Sequence, residues 1–117
     1  MITQAACAFP EPGAPRLKGK QRVRLAPGSL AARLYEATET FAEFHCSNEL
    51  NRRYQPLFEA NDLCITGLGD DGEARVVELA GTRFYIATLY LPQLAAAKGE
   101  PDPLIDAFVR AAAGVAP

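Results

Sequence analysis

Apolar residues fall along this chain in short blocks, each closed by glycine or proline. The longest near-continuous block is Arg83 to Gln93, RFYIATLYLPQ, bounded by Gly81 and Pro92. Its aromatic and branched residues predict a buried strand. RVRLA (22–26) predicts a shorter strand, and LCIT (63–66) and ARVVELA (74–80) predict two more, joined by GLGDDGE. Asp71-Gly72 in that link suits a hairpin whose central residues need positive φ. TETFAEFHCS (38–47) reads as extended.

Helices are announced by their caps. Ser29 predicts a capped start for LAARLYE (30–36). Asn51 does the same for a helix around Tyr54 to Ala60, and Pro56, which cannot donate to Arg52, sets its regular start near Gln55. Asp102 as cap, Pro103 at the first helical position and Gly114 as stop delimit the last helix. Leu104, Ile105, Phe108, Val109 and Ala112 form its apolar face, with Asp106 and Arg110 paired at i,i+4 opposite. The proline- and glycine-rich FPEPGAPRLKGKQ (9–21) predicts an exposed loop, so residues 1–21 read as a flexible segment ahead of a mixed α/β unit over 22–117.

Composition narrows the function classes. A chain of 117 residues is one domain or part of one, and 49% hydrophobic with 22% charged residues is ordinary for a globular protein. A net charge of −2 exerts no general pull on nucleic acid or anionic membrane, and neither is an expected partner. No apolar run approaches the length of a membrane span. Three cysteines without framework spacing, and a start lacking a basic n-region, predict a cytoplasmic protein with reduced thiols.

Three patterns invite a chemical reading and fail it. Gly67-Leu68-Gly69-Asp70-Asp71-Gly72 matches a dinucleotide fingerprint, but a strand rather than a helix follows, and two aspartates would oppose the phosphates. His45-Cys46 places its two side chains on opposite faces of an extended chain, and Cys7 and Cys64 do not complete a zinc set. Neither a metal nor a cofactor is expected. Arg16, Lys18, Lys20, Arg22 and Arg24 would line one face of an extended segment, leaving a small anion-binding module as a further reading behind a solvated edge strand.

Read in order, VRLAPGSLAARLY (23–35), NRRYQPLFEANDLCITGLGDDGEARVVEL (51–79), FYIATLYLPQ (84–93) and PDPLIDAFVRAA (101–112) resemble consecutive blocks of the C-terminal part of the CTP synthase glutamine amidotransferase domain. ATLYLPQ is most similar to the branch called CTP synthase C-terminal-region-related (seleno)proteins. The resemblance implies the C-terminal half of a flavodoxin-like, class I amidotransferase α/β fold. It also implies a catalytic ending, since active members close the long strand with His-Pro-Glu, the base for a cysteine nucleophile and the group that orients it. Here the ending is Leu91-Pro92-Gln93. Leucine accepts no proton, and a neutral amide cannot stabilise an imidazolium as a carboxylate does.

The family's Arg/His-rich segment is reduced to EFHCSNELN (43–51), where only Glu49 and Asn51 keep their match, and the resemblance makes those two the candidate substrate-binding residues. The nucleophile turn, Gly-x-Cys-x-Gly, lies in the family's N-terminal half and is absent from these residues. Three functions follow as expectations. The first is a non-hydrolysing relative linked to pyrimidine nucleotide (CTP) synthesis. The second is half of a split glutaminase completed by another chain. The third is the anion-binding module. The expected partners are an N-terminal half-domain or a second copy, beside a small-molecule ligand that the residues do not name.

Overall fold

The computed structural model describes residues 1–4 and 17–116. Seven strands and four helices follow in the order β1 (Ile2–Gln4), β2 (Leu17–Leu25), α1 (Leu30–Tyr35), β3 (Glu39–Cys46), β4 (Asn48–Leu50), α2 (Gln55–Glu59), β5 (Leu63–Leu68), β6 (Ala74–Leu79), β7 (Ile86–Thr88), α3 (Pro92–Ala97) and α4 (Pro103–Ala112). A 3₁₀ turn, Arg52–Tyr54, leads into α2. Five strands form one antiparallel sheet ordered β3-β2-β5-β6-β7, and β1 pairs with β4 in a separate ribbon. The long β2–β3 hairpin runs in register from Leu17↔Cys46 to Arg24↔Glu39, whereas β2 meets β5 only at Arg24↔Leu68 and Leu25↔Gly67. β5–β6 and β6–β7 join strands next to each other in sequence through short links, which favours antiparallel pairing.

α1 and α4 begin where their caps predict, whereas Asn51 caps the 3₁₀ turn and α2 starts at Gln55 with no side-chain cap of its own. Ser29 Oγ accepts the Ala32 N–H, and a second acceptor, the Glu78 carboxylate from β6, takes the Leu30 and Ala31 N–H groups at 2.9 and 3.1 Å. Three of α1's four unpaired amides are thereby satisfied. Asn51 Oδ1 accepts from Arg53 N–H, and Asp102 Oδ1 accepts from Leu104 and Ile105 N–H. At the far end of α4, Gly114 takes φ 82°, as expected of the stop. The Asp106–Arg110 pair forms at 3.0 Å.

Four expectations are corrected. The segment 1–21 is strand at both described ends, because β1 finds β4 and β2 extends back to Leu17 along β3; the loop expected over 9–16 lies outside the described residues. Of Arg83 to Gln93 only Ile86–Thr88 is strand, and it is not buried, since among the described residues β7 is the sheet's edge with β6 as its one neighbour. Pro92 then opens α3, a helix the apolar pattern had absorbed into the strand. In the β5–β6 link Gly72 alone has positive φ, giving a longer loop in which Gly69 N–H donates to the Glu73 carbonyl. Finally, the apolar face expected of α4 is divided: Leu104 and Ala107 are buried, while Ile105, Phe108 and Val109 are exposed.

The core lies between this sheet and α1 and α4, with Val23, Phe44 and Val76 fully enclosed. Gly67 sits in β5 where the register with β6 shifts, so a bulge brings the two backbones together. A Cβ there would meet Val76 Cγ2 at 2.5 Å. Gly67→Ala is expected to destabilise the fold by about 1–3 kcal/mol, the usual cost of overpacking. Urea unfolding followed by circular dichroism measures it, and an unchanged midpoint would contradict the packing described.

Candidate functional site

The turn from Leu89 to Gln93 is pinned at four points. Leu89 N–H donates to the Arg75 carbonyl at 2.9 Å, and Thr88 Oγ1 donates to the Tyr90 carbonyl at 3.0 Å. Tyr90 turns inward, 3% exposed, with its ring 5.7 Å from that of Phe44. Leu91 N–H then donates to the Glu43 carbonyl in the middle of β3 at 3.0 Å. Leu91 is half-buried and Gln93 is exposed.

Below Leu91 lies a cavity of about 40 Å³ lined by Tyr35, Glu43, Tyr90, Leu91 and Asp102 among others. That is room on the order of one or two water molecules. The polar groups around it are already engaged. The Tyr35 and Tyr90 hydroxyls share a hydrogen bond at 2.9 Å, Lys98 Nζ holds Glu43 Oε1 at 2.8 Å, and Asp102 caps α4. Burial pushes Tyr35 up to about 12, opposed by its bond to Tyr90 and reinforced by the charge of Asp102. Burial likewise raises Tyr90, further than Tyr35. Burial also raises Asp102, against the pull of the two backbone N–H donors it caps. The site offers no unengaged base next to Leu91 among the described residues.

A larger, polar cavity of about 210 Å³ is lined by Arg22, Glu49, Arg52, Asp70, Glu73 and Arg75 with others. Its charges pair internally. Arg75, 5% exposed, reaches Glu49 at 3.3 Å and Glu73 at 3.2 Å through Nη2, and its guanidinium carbon stands 5.1 Å from the centre of the Phe44 ring. Arg22 meets Asp70 at 2.9 Å, and Arg52 bonds Glu73 and the Asp71 carbonyl. Arg75 Nη1 has no partner among the described residues.

The expected site residues separate. Glu49 lines the polar cavity, whereas Asn51 uses its Oδ1 to cap the turn at Arg53. Leu91 faces the small cavity, and Gln93 lines neither. His45 is exposed and Cys46 packs against the core, so the two do not form a couple. Cys7 and Arg16 lie outside the described residues. On the basic stripe of β2, Arg22 pairs with Asp70, Lys20 lies 3.7 Å from Glu100 and Arg24 donates to the Gly69 carbonyl. Sequence reading missed Arg75. The one signal was a cation set directly before the apolar pair Val76-Val77 in a central strand, where a charge needs partners. No helix among the described residues is long and apolar enough to cross a membrane.

No family model matches the chain. It is 32% identical over 97 residues to a CTP synthase of Sulfurisphaera tokodaii, covering 83% of this chain and 18% of that protein. A CTP synthase of Methanocaldococcus jannaschii is 34% identical over 91 residues, which is 77% of this chain and 17% of the relative. The chain therefore spans less than a fifth of the length of these relatives. Among solved structures, the Trypanosoma brucei CTP synthase glutaminase domain with bound acivicin superposes with a TM-score of 0.75 at 23% identity, covering 83% of this chain and 39% of that one.

The buried tyrosine pair sets an alkaline limit on stability. A phenol ionises near 10 in the unfolded chain and near 12 at Tyr35 in the fold. The unfolded state therefore releases its proton first, and stability present below pH 10 is lost as pH rises towards 12. Melting temperatures measured from pH 8 to 12 should hold level and then fall across that window. Tyr35→Phe should lessen the fall without removing it, because Tyr90, raised further by burial, still loses its share as pH passes 10, and a wild-type profile level to pH 12 would contradict the assignment.

Proposed function

We propose that this chain, a relative of the CTP synthases over the C-terminal part of their class I glutamine amidotransferase domain, keeps the scaffold of that domain without its hydrolytic step. The observation that carries the reading is the turn Leu91-Pro92-Gln93. Its backbone is held in place by Glu43 and by the Tyr35–Tyr90 pair, yet its side chains are an alkyl group and an exposed amide. Hydrolysis of glutamine through a thiol requires a base to remove the thiol proton and a group to keep that base oriented. Leu91 supplies neither a lone pair nor a charge, and Gln93 stands out of the cavity.

The carboxylates nearest the turn are poor substitutes. Glu43 is tied to Lys98, and taking up a thiol's proton would cost this carboxylate, only 8% exposed, that ion pair. Asp102 holds the start of α4. What such a domain retains is a shaped polar surface, which fits binding or regulation within CTP synthesis rather than release of ammonia. The split-glutaminase reading would need a second chain to bring its own base as well as its nucleophile.

The test is ammonia release from glutamine by the purified chain, followed by a coupled assay between pH 6 and 9. Loss of a triad's base costs about 10⁴ to 10⁶ in rate, so release should stay at the buffer background. A rate above background that Glu43→Gln or His45→Ala removes would overturn the proposal.

A further inference from the structure

We propose that Arg75 couples the polar cavity to the Leu89–Gln93 turn, so that a change in the carboxylates around its guanidinium alters the mobility of the turn. The polar cavity then acts as a control point for the candidate site rather than as a second reaction centre. The first observation is that Arg75 belongs to both regions. Its carbonyl accepts the Leu89 N–H at 2.9 Å, one of the bonds that pin the turn. Its side chain lines the polar cavity, where Nη2 meets Glu49 at 3.3 Å and Glu73 at 3.2 Å. Its guanidinium carbon stands 5.1 Å from the centre of the Phe44 ring, and that ring lies 5.7 Å from the ring of Tyr90 in the turn. Backbone and side chain thus reach the turn by separate routes.

The second observation is burial. Arg75, Phe44 and Tyr90 are all buried. In a close-packed interior a displaced side chain moves its neighbours, because there is no void to absorb the shift. A guanidinium that loses one of its two carboxylates is drawn towards the other, since a buried charge left half-met is costly. That shift changes its contact with the Phe44 ring, and through Phe44 the packing of Tyr90.

The third observation is where the two carboxylates come from. Glu49 lies on β4, which pairs with β1 and, among the described residues, shares no ladder with the main sheet. Glu73 stands at the end of the β5–β6 loop, where Oε2 accepts from Arg52 and from the Asp71 N–H. A molecule that enters the cavity, or grips the loop or the ribbon, therefore acts first on the groups that hold Arg75. Such coupling is reciprocal, so loosening the turn also alters pairing in the cavity. The inference concerns mobility and is read without any turnover of glutamine, so it stands or falls apart from the proposed loss of hydrolysis.

The test is amide hydrogen exchange of the full 117-residue chain, resolved by residue with NMR. The readout is the exchange rate at Leu89 and Leu91 divided by that at Leu25, whose N–H donates to the Thr38 carbonyl at 2.8 Å. A general loss of stability speeds all three amides, whereas the coupling speeds the first two alone. Glu49→Gln and Glu73→Gln should each raise the ratio at least fivefold. Gln55→Ala, which frees the loop at the Gly72 carbonyl without touching Arg75, should leave it within twofold of the wild type. In an Arg75→Met background no cation reads the carboxylate, and Glu49→Gln should change the ratio by less than twofold. Phe44→Leu, which removes the ring between Arg75 and Tyr90, gives the same test at Leu91 by a second variant. Ratios left within twofold by both carboxylate variants would overturn the proposal. So would an effect of Gln55→Ala as large as theirs, or an effect of Glu49→Gln that persists in full without the Arg75 cation or the Phe44 ring.

Discussion

The hydrogen bond from Leu91 N–H to the Glu43 carbonyl fixes the geometry on which the rest of the site depends. It joins the end of the edge strand to the middle of β3, at the opposite margin of the sheet, and so closes the chain over the core. Tyr90 fills the space beneath, its ring tilted against Phe44 and its hydroxyl bonded to Tyr35, and the start of α4 at Asp102 completes the wall. All of this is carried by main chain and by neighbours of Leu91. The side chain at position 91 has little structural duty, and that at 93 has none. Under the proposed function, this is what would let a catalytic ending be replaced without the scaffold giving way.

The Arg75 cluster performs a complementary task on β6, against the same Phe44 ring. A buried guanidinium is costly unless its charge and its donors are met. Glu49 on β4, Glu73 at the foot of the hairpin and the Phe44 ring meet most of that requirement. The small β1–β4 ribbon is thereby tied to the main sheet by charge, where it shares no ladder with it. Arg52 and Gln55 extend the same logic to the hairpin loop, holding the carbonyls of Asp71 and Gly72. The cavity among these residues is polar because the network that builds it is polar.

What could be read from the sequence was whatever depends on neighbours in the chain. Ser29, Asn51 and Asp102 cap where their spacing predicts, and GLGDDGE turns a hairpin rather than cradling a phosphate. The ordered similarity of four blocks pointed to the amidotransferase half-fold that the structural likeness bears out. What escaped depends on distant partners. RFYIATLYLPQ is uniformly apolar, yet it serves an edge strand, an inward turn and a helix start, a division that Tyr90's contacts and Pro92 decide rather than periodicity. The stripe on α4 marked a face to be covered, correctly in physical terms, but the pattern cannot say that this chain covers only part of it. Arg75 and its two glutamates stand two and 26 positions apart, and nothing local foretells that they meet.

The claim that backbone rather than side chain holds the turn is tested most directly by the stability of Leu91→His. Equilibrium urea unfolding of the wild type and the variant, at a pH where the histidine is neutral, gives the difference. A half-buried leucine whose backbone keeps its bond to Glu43 should cost no more than about 1.5 kcal/mol on replacement by an imidazole. A loss above about 3 kcal/mol, the range of a core side chain removed from close packing, would contradict the account, because Leu91 would then be part of what holds the scaffold together.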